Sequence, residues 1–250
     1  RYICPDCMRS AAVGHQCVEC VGEGAKSVRQ PRATFGRTSA NKPWVTYVLI
    51  AANVVMFVLQ KAIPAVYQQF VLWPVGIARD GEVYRLVTSA FLHADLMHIL
   101  FNMWALYVIG PALEQWLGRT RYVALYALSG LGGSVLVYLL TPINVPTLGA
   151  SGAIFGLFGA TLALSRRLNF DARWVIGLIV INLVITFVVP SISWQGHIGG
   201  LVTGAAVGAV FAYAPRAGRV PIQVGFSVAV LLLMGALVWW RTASLLTGVG

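Results

Sequence analysis

From Trp44 onward the chain alternates between long apolar runs and short breaks that hold its charges, prolines and turn residues. A helix needs about 20 mostly apolar residues to cross about 30 Å of hydrocarbon. Seven stretches approach that length: Pro43–Leu59, Leu96–Leu117, Tyr122–Leu140, Ser151–Leu168, Trp174–Val189, Gln195–Tyr213 and Pro221–Trp240. The pattern therefore predicts an all-α membrane protein with seven spans. Composition agrees, since 58% of residues are hydrophobic and 10% charged, with a mean hydropathy of +0.76. Soluble domains carry about 25% charged residues, and a soluble globule of this length could not hide so much apolar surface.

Residues 1–42 break the pattern. The chain opens on Arg1 rather than Met, which reads as a piece of a longer polypeptide, and its polar, basic start is no cleavable signal peptide. Cys4, Cys7, Cys17 and Cys20 form two C-x-x-C pairs, a spacing at which thiolates chelate a tetrahedral ion. A structural zinc is the expectation, with unligated cysteines as the alternative and His15 able to replace one thiolate. The loop between the pairs is shorter than in common zinc ribbons, and any ligands further upstream would lie outside this sequence. Val21 to Lys42, rich in Gly, Ser, Arg and Pro, reads as a flexible linker.

A net charge of +10 raises the question of nucleic acid, and the placement of the basic residues answers it. Arg1, Arg9, Lys26, Arg29, Arg32, Arg37 and Lys42 precede the first span. Arg119 and Arg121, then Arg166, Arg167 and Arg173, then Arg216 and Arg219, fall in every second connection, whereas Thr141–Ala150 and Pro190–Trp194 carry none; Lys61, Arg79 and Arg85 lie in the long first loop and Arg241 follows the last span. Basic residues collect on the cytoplasmic side of membrane proteins. The N-terminus is expected in the cytoplasm and the C-terminus outside, with no nucleic-acid partner.

Ionisable or strongly polar groups within hydrocarbon are costly and mark candidate sites. His93, His98 and His197 lie in or beside spans. A lone one would more readily be structural, but three beside a buried Asn102 are not lone. His98 and Asn102, four residues apart, share a helix face. Ser151 opens the fourth span within Gly149-Ala150-Ser151-Gly152, where helix-start N–H groups are free and the dipole favours negative charge. That tetrapeptide alone is equally what close helix packing uses. Gly152, Gly156 and Ala160 on the fourth span, and Gly200, Gly204 and Gly208 on the sixth, repeat every fourth residue, and such stripes let membrane helices approach closely. His197 shares the second stripe, so docking the two brings an imidazole toward a serine hydroxyl, the pairing that acyl transfer requires.

These motifs resemble those of the rhomboid family. His93-Ala94-Asp95-Leu96-Met97-His98-Ile99-Leu100-Phe101-Asn102 resembles its second-helix motif, Gly149 to Gly152 its Gly-x-Ser-Gly, and Gly196-His197-Ile198-Gly199-Gly200 with Gly204 its histidine helix. Glu82-Val83-Tyr84-Arg85 and Glu114-Gln115-Trp116-Leu117-Gly118 resemble its long first loop and second-helix exit, so the likeness runs from about Trp44 to Tyr213. The resemblance implies a six-helix core over residues 43–213, plus a connection and an extra seventh helix over 214–250. It also implies a serine endopeptidase that needs no cofactor for catalysis and cuts transmembrane protein substrates in the lipid bilayer, in a bacterial plasma membrane. Ser151 would be the nucleophile and His197 the general base and then acid. His98, Asn102 and the Ser151 N–H would form the oxyanion hole, His93 would be supporting, and Phe101 would face the substrate gate.

Two positions depart from the family pattern: Phe155 stands where relatives often have a Tyr that stacks on the imidazole, and Gly196 where a small Ala is usual. A rhomboid-like protein that binds membrane clients without cutting them is the alternative. A transporter with histidines on a proton path would leave the serine and the His98/Asn102 pair without a role.

Overall fold

The computed structural model describes residues 8–10, 13–27 and 42–247. Met8–Ser10 (β1) and His15–Cys17 (β2) form an antiparallel hairpin that pairs Met8 with Cys17, and Val18–Ser27 (α1) follows. All remaining regular structure is helical. Trp44–Ala62 (α2) is the first span. Pro64–Phe70 (α3), Pro74–Asp80 (α4) and Arg85–Thr88 (α5) form the long first loop. Leu96–Leu117 (α6), Arg119–Leu140 (α7), Ser151–Leu168 (α8), Arg173–Val188 (α9), Trp194–Tyr213 (α10) and Arg219–Leu246 (α11) complete the bundle.

A helix stands at each of the seven expected spans, with starts within three residues of the sequence reading; the last runs six residues further, to Leu246. Five helices are long and apolar enough to cross a membrane by length and composition: α2, α6, α7, α10 and α11. The other two depart for physical reasons. Helix α9 has only 16 residues. Helix α8 faces protein rather than lipid, being buried at every position from Gly152 to Thr161, so its composition answers to packing.

Packing around α8 rests on missing side chains. A Cβ built on Gly200 would fall on the Gly152 carbonyl, one on Gly204 would overlap the Gly156 backbone, and one on Gly208 would stand 2.7 Å from the Ala160 Cα. The two expected stripes thus meet residue for residue. Helix α7 joins the same contact, which its sequence did not announce: a Cβ on Gly133 would lie 2.7 Å from the Gly196 carbonyl, and one on Gly199 would lie 2.6 Å from the Gly132 carbonyl. Leu, Ile and Phe side chains such as Leu106, Leu125, Leu157 and Phe211 fill the space outside this backbone contact.

Helix α2 is held differently. Glu114, fully buried near the end of α6, accepts from the backbone N–H groups of Val45 and Thr46, at 3.1 and 2.9 Å, and from Thr46 Oγ1 at 2.9 Å. These are first-turn donors that a helix cannot satisfy itself.

Candidate active site

At the end of the bundle where α6, α8 and α10 begin, the first loop and the segment before α8 are laced together. Arg85 is buried and donates to the carbonyls of Gln68 and Val71 at 2.7 and 2.9 Å and to Glu82 Oε2 at 2.6 Å. The Arg85 guanidinium holds the Glu82 carboxyl below the usual carboxylate range. Leu72 and Thr147 exchange backbone hydrogen bonds at 3.0 and 2.9 Å, and Gly149 N donates to the Ser89 carbonyl at 2.9 Å. The turn before Ser151 is thereby fixed on both sides.

Gly149 has φ +129°, a conformation L side chains rarely adopt, and a Cβ there would stand 2.9 Å from His98 Cε1 and 3.0 Å from His98 Nε2. Glycine is required for both reasons. The same Cβ would lie 3.6 Å from Ser151 Oγ, so the Nε2 edge of His98 and the Ser151 hydroxyl face one small volume. Ser151 is the first residue of α8, half-buried, with the helix-start N–H groups around it.

Helix α6 is capped by Asp95, whose Oδ1 accepts from His98 N at 2.9 Å. The Ala94 N–H donates to His98 Nδ1 at 3.3 Å. A ring nitrogen that accepts carries no proton, so the neutral imidazole bears its proton on Nε2, the edge that faces Gly149. Asn102, 7% exposed, donates one amide N–H to the His98 carbonyl at 2.8 Å and retains a second. His93 is fully buried, its ring edge-on to that of His98 with centroids 5.1 Å apart. The C-terminal end of α2 grips the loop before α6: Gln60 accepts from His93 N at 3.0 Å and donates to its carbonyl at 2.5 Å, and Lys61 donates to the Ala94 carbonyl at 3.0 Å. Phe101 is 64% exposed on the bundle surface.

His197 enters from α10, whose first turn is capped by Ser193 Oγ accepting from Gly196 N at 3.3 Å. The Gly196 carbonyl lies 3.1 Å from where a Gly152 Cβ would stand, which brings the residue before His197 against the residue after Ser151. The imidazole stacks on Phe155, with centroids 4.1 Å apart and planes 13° apart. The phenyl ring of Phe155 thus makes the stack, without the hydrogen bond that a Tyr hydroxyl could donate. A second partner, which sequence reasoning missed, is Thr186 on α9, whose Oγ1 lies 2.7 Å from His197 Nδ1. A threonine in an apolar helix has no periodic or motif signature, and only the pairing of α9 with α10 shows it.

Cys4 and Cys7 lie outside the described residues, and of Cys20 only the backbone is described; Cys17 ends β2. Among the described residues no group of three or more His, Cys, Asp or Glu is placed to hold a metal ion.

The Rhomboid domain family model matches residues 80–214, more than half of the chain, and the chain belongs to the rhomboid family. It is a multi-pass membrane protein of that family. It is 37% identical over 187 residues to rhomboid protease GluP of Bacillus subtilis (strain 168), a match covering 71% of this chain and 36% of GluP. To YdcA of the same organism it is 34% identical over 174 residues, covering 65% of this chain and 85% of YdcA. It is also 32% identical over 153 residues to inactive RHOMBOID-like protein 8 of Arabidopsis thaliana, covering 58% of this chain and 43% of that protein. The chain thus spans about a third of GluP and most of YdcA, and family membership alone does not decide activity.

Proposed function

We propose that this chain is an intramembrane serine endopeptidase that hydrolyses peptide bonds in or near transmembrane segments of other membrane proteins. The observation that supports the reading is the convergence of His98 Nε2 and Ser151 Oγ on Gly149, together with the backbone contact of Gly196, the residue before His197, with Gly152, the residue after Ser151. In this mechanism His197 Nε2 takes the Ser151 hydroxyl proton as Oγ bonds to the scissile carbonyl carbon. The carbonyl oxygen becomes an oxyanion, met by the Ser151 N–H, His98 Nε2–H and the free Asn102 N–H; one such donor contributes about 2.7–4 kcal/mol. Collapse of this intermediate breaks the C–N bond, and His197 passes its proton to the departing amine. Water then repeats the sequence on the acyl-enzyme and restores Ser151.

Fluorophosphonate labelling of the detergent-solubilised chain tests the reading. Labelling that disappears with Ser151→Ala is expected. A chain that takes no label while remaining folded would instead be a client-binding relative without catalysis.

The finer readings follow from charge and spacing. The basic loops support a cytoplasmic N-terminus and an outside C-terminus in a bacterial plasma membrane, with residues 1–42, 43–213 and 214–250 as accessory segment, core and added helix. Cysteine accessibility at Lys42 and Thr247 from either side of intact vesicles checks the orientation. For the N-terminal segment, support for zinc is the C-x-x-C spacing together with a hairpin whose register sets Met8, the residue after Cys7, opposite Cys17. Stoichiometric zinc in the full chain, lost on Cys17→Ser, is the expected result.

A further inference from the structure

A general base must present a ring nitrogen without a proton, and in Ser-His-Asp enzymes a carboxylate on the other nitrogen selects that tautomer. Among the described residues no carboxyl group hydrogen-bonds to His197. Its Nδ1 faces Thr186 Oγ1 at 2.7 Å, and that same oxygen lies 2.7 Å from the carbonyl of Asn182, one turn earlier in α9. A hydroxyl has one proton to donate and two lone pairs, whereas a carbonyl can only accept. The bond to Asn182 thus uses the hydroxyl proton, in the back-bonded geometry that Thr adopts within helices. What remains toward His197 is a lone pair, which requires an N–H on Nδ1. The reverse assignment would place the ring proton on Nε2 and leave nothing to receive a proton from serine. Thr186 is 3% exposed and His197 8%, so water does not compete for the bond.

We propose that Thr186 is a positioning residue for catalysis: donating to the Asn182 carbonyl and accepting from His197 Nδ1–H, it holds His197 in the tautomer whose Nε2 is free to act as base. The inference rests on the protease reading above. The stack on Phe155 fixes the plane of the ring and the Thr186 bond its rotation within that plane. A neutral acceptor suits the location, because a carboxylate within the bundle would carry a large desolvation cost in every step where the imidazole is uncharged. The bond also pairs with its counterpart on His98. There a backbone N–H donates to Nδ1 and keeps the proton on Nε2, so two histidines in one site are set to opposite tautomers, one to accept and one to donate.

The test is 15N NMR of the full chain labelled at histidine, in detergent at neutral pH, with His197 assigned through His197→Ala. A protonated Nδ1 and unprotonated Nε2 are expected, and the opposite tautomer overturns the proposal. Thr186→Val removes the acceptor at nearly constant shape and should lower kcat about tenfold, as loss of one neutral hydrogen bond predicts, with KM unchanged. Thr186→Ser should recover most of that loss. Full activity in Thr186→Val, or a Ser variant as slow as Val at equal thermal stability, also overturns it. If Thr186→Val does not fold, the tautomer of the native chain still decides. A native chain with no reactive Ser151 would remove the protease reading instead, and that outcome is scored by labelling, independently of the tautomer.

Discussion

Glycine has opposite meanings in two parts of this bundle. Along the contact of α8 with α10, Gly200, Gly204 and Gly208 leave no room for a Cβ, because the facing backbone occupies its place. On α11, Gly225 and Gly235 would meet nothing within 4 Å. Both helices are long and apolar enough to cross a membrane, yet 44% of the most apolar window of α10 is buried against 17% for α11. The comparison teaches that small residues matter where backbone touches backbone. In a membrane, where lipid is as apolar as leucine, close packing replaces the hydrophobic effect as the reason for two helices to stay together.

The sharpest way to probe the enclosed side is to remove its chemistry without touching its packing. Ser151→Ala and His197→Ala should each abolish cleavage of a single-span test substrate, by up to about 10⁶-fold if the pair acts as one unit, with thermal unfolding of the Ser151 variant unchanged. Residual turnover near the native rate in either variant would break the dyad.

Next come Gly200→Val and Gly204→Val. Each forces α8 and α10 apart, and a displacement of 1 Å in catalytic groups costs on the order of 100-fold in rate. Cleavage should fall at least that far. Near-native rates in both variants would show that the site does not depend on the seam.

Glu114→Ala probes a different kind of attachment. It strips three hydrogen bonds from the start of α2 and leaves the buried Thr46 N–H and the half-buried Val45 N–H unpaired. The expected loss is about 2–4 kcal/mol of stability in detergent, with a smaller change in the rate of the protein that remains folded. A variant as stable as the native chain would mean α2 is held by packing alone.

The smallest effect belongs to Gly225→Val, whose side chain points into open space. Unfolding temperature and cleavage should both match the native chain within error. Damage equal to that of Gly204→Val would erase the contrast between the two helices.

Much of the site can be read in the chain itself. The motif around His98 and Asn102 is contiguous, Gly149 to Gly152 is contiguous, and the Gly200 stripe follows His197 directly, so helical periodicity alone placed each on a face. The apolar runs also located α8 and α9, although α8, whose surroundings are other helices, and the short α9 fall outside the length and hydropathy of a spanning helix. Asp95 as a cap and Glu114 as an anchor were within reach, because each sits at a helix end, where unpaired backbone groups call for a partner.

What the sequence by itself determined is the number and order of the long helices, the family, and which residue types face one another along α8 and α10. These follow from local length, periodicity and motif, properties a segment carries with it. Only the tertiary structure decided that Gly132 and Gly133 of α7 share the seam, that Gln60 holds the loop before α6, and that Thr186 meets His197. Each is a single polar or small residue on a helix whose other positions are apolar. Its partner lies on a different helix, and no pattern along one strand of sequence encodes the rotation of that helix about its axis. Packing sets that rotation, and with it which nitrogen of each histidine holds the proton.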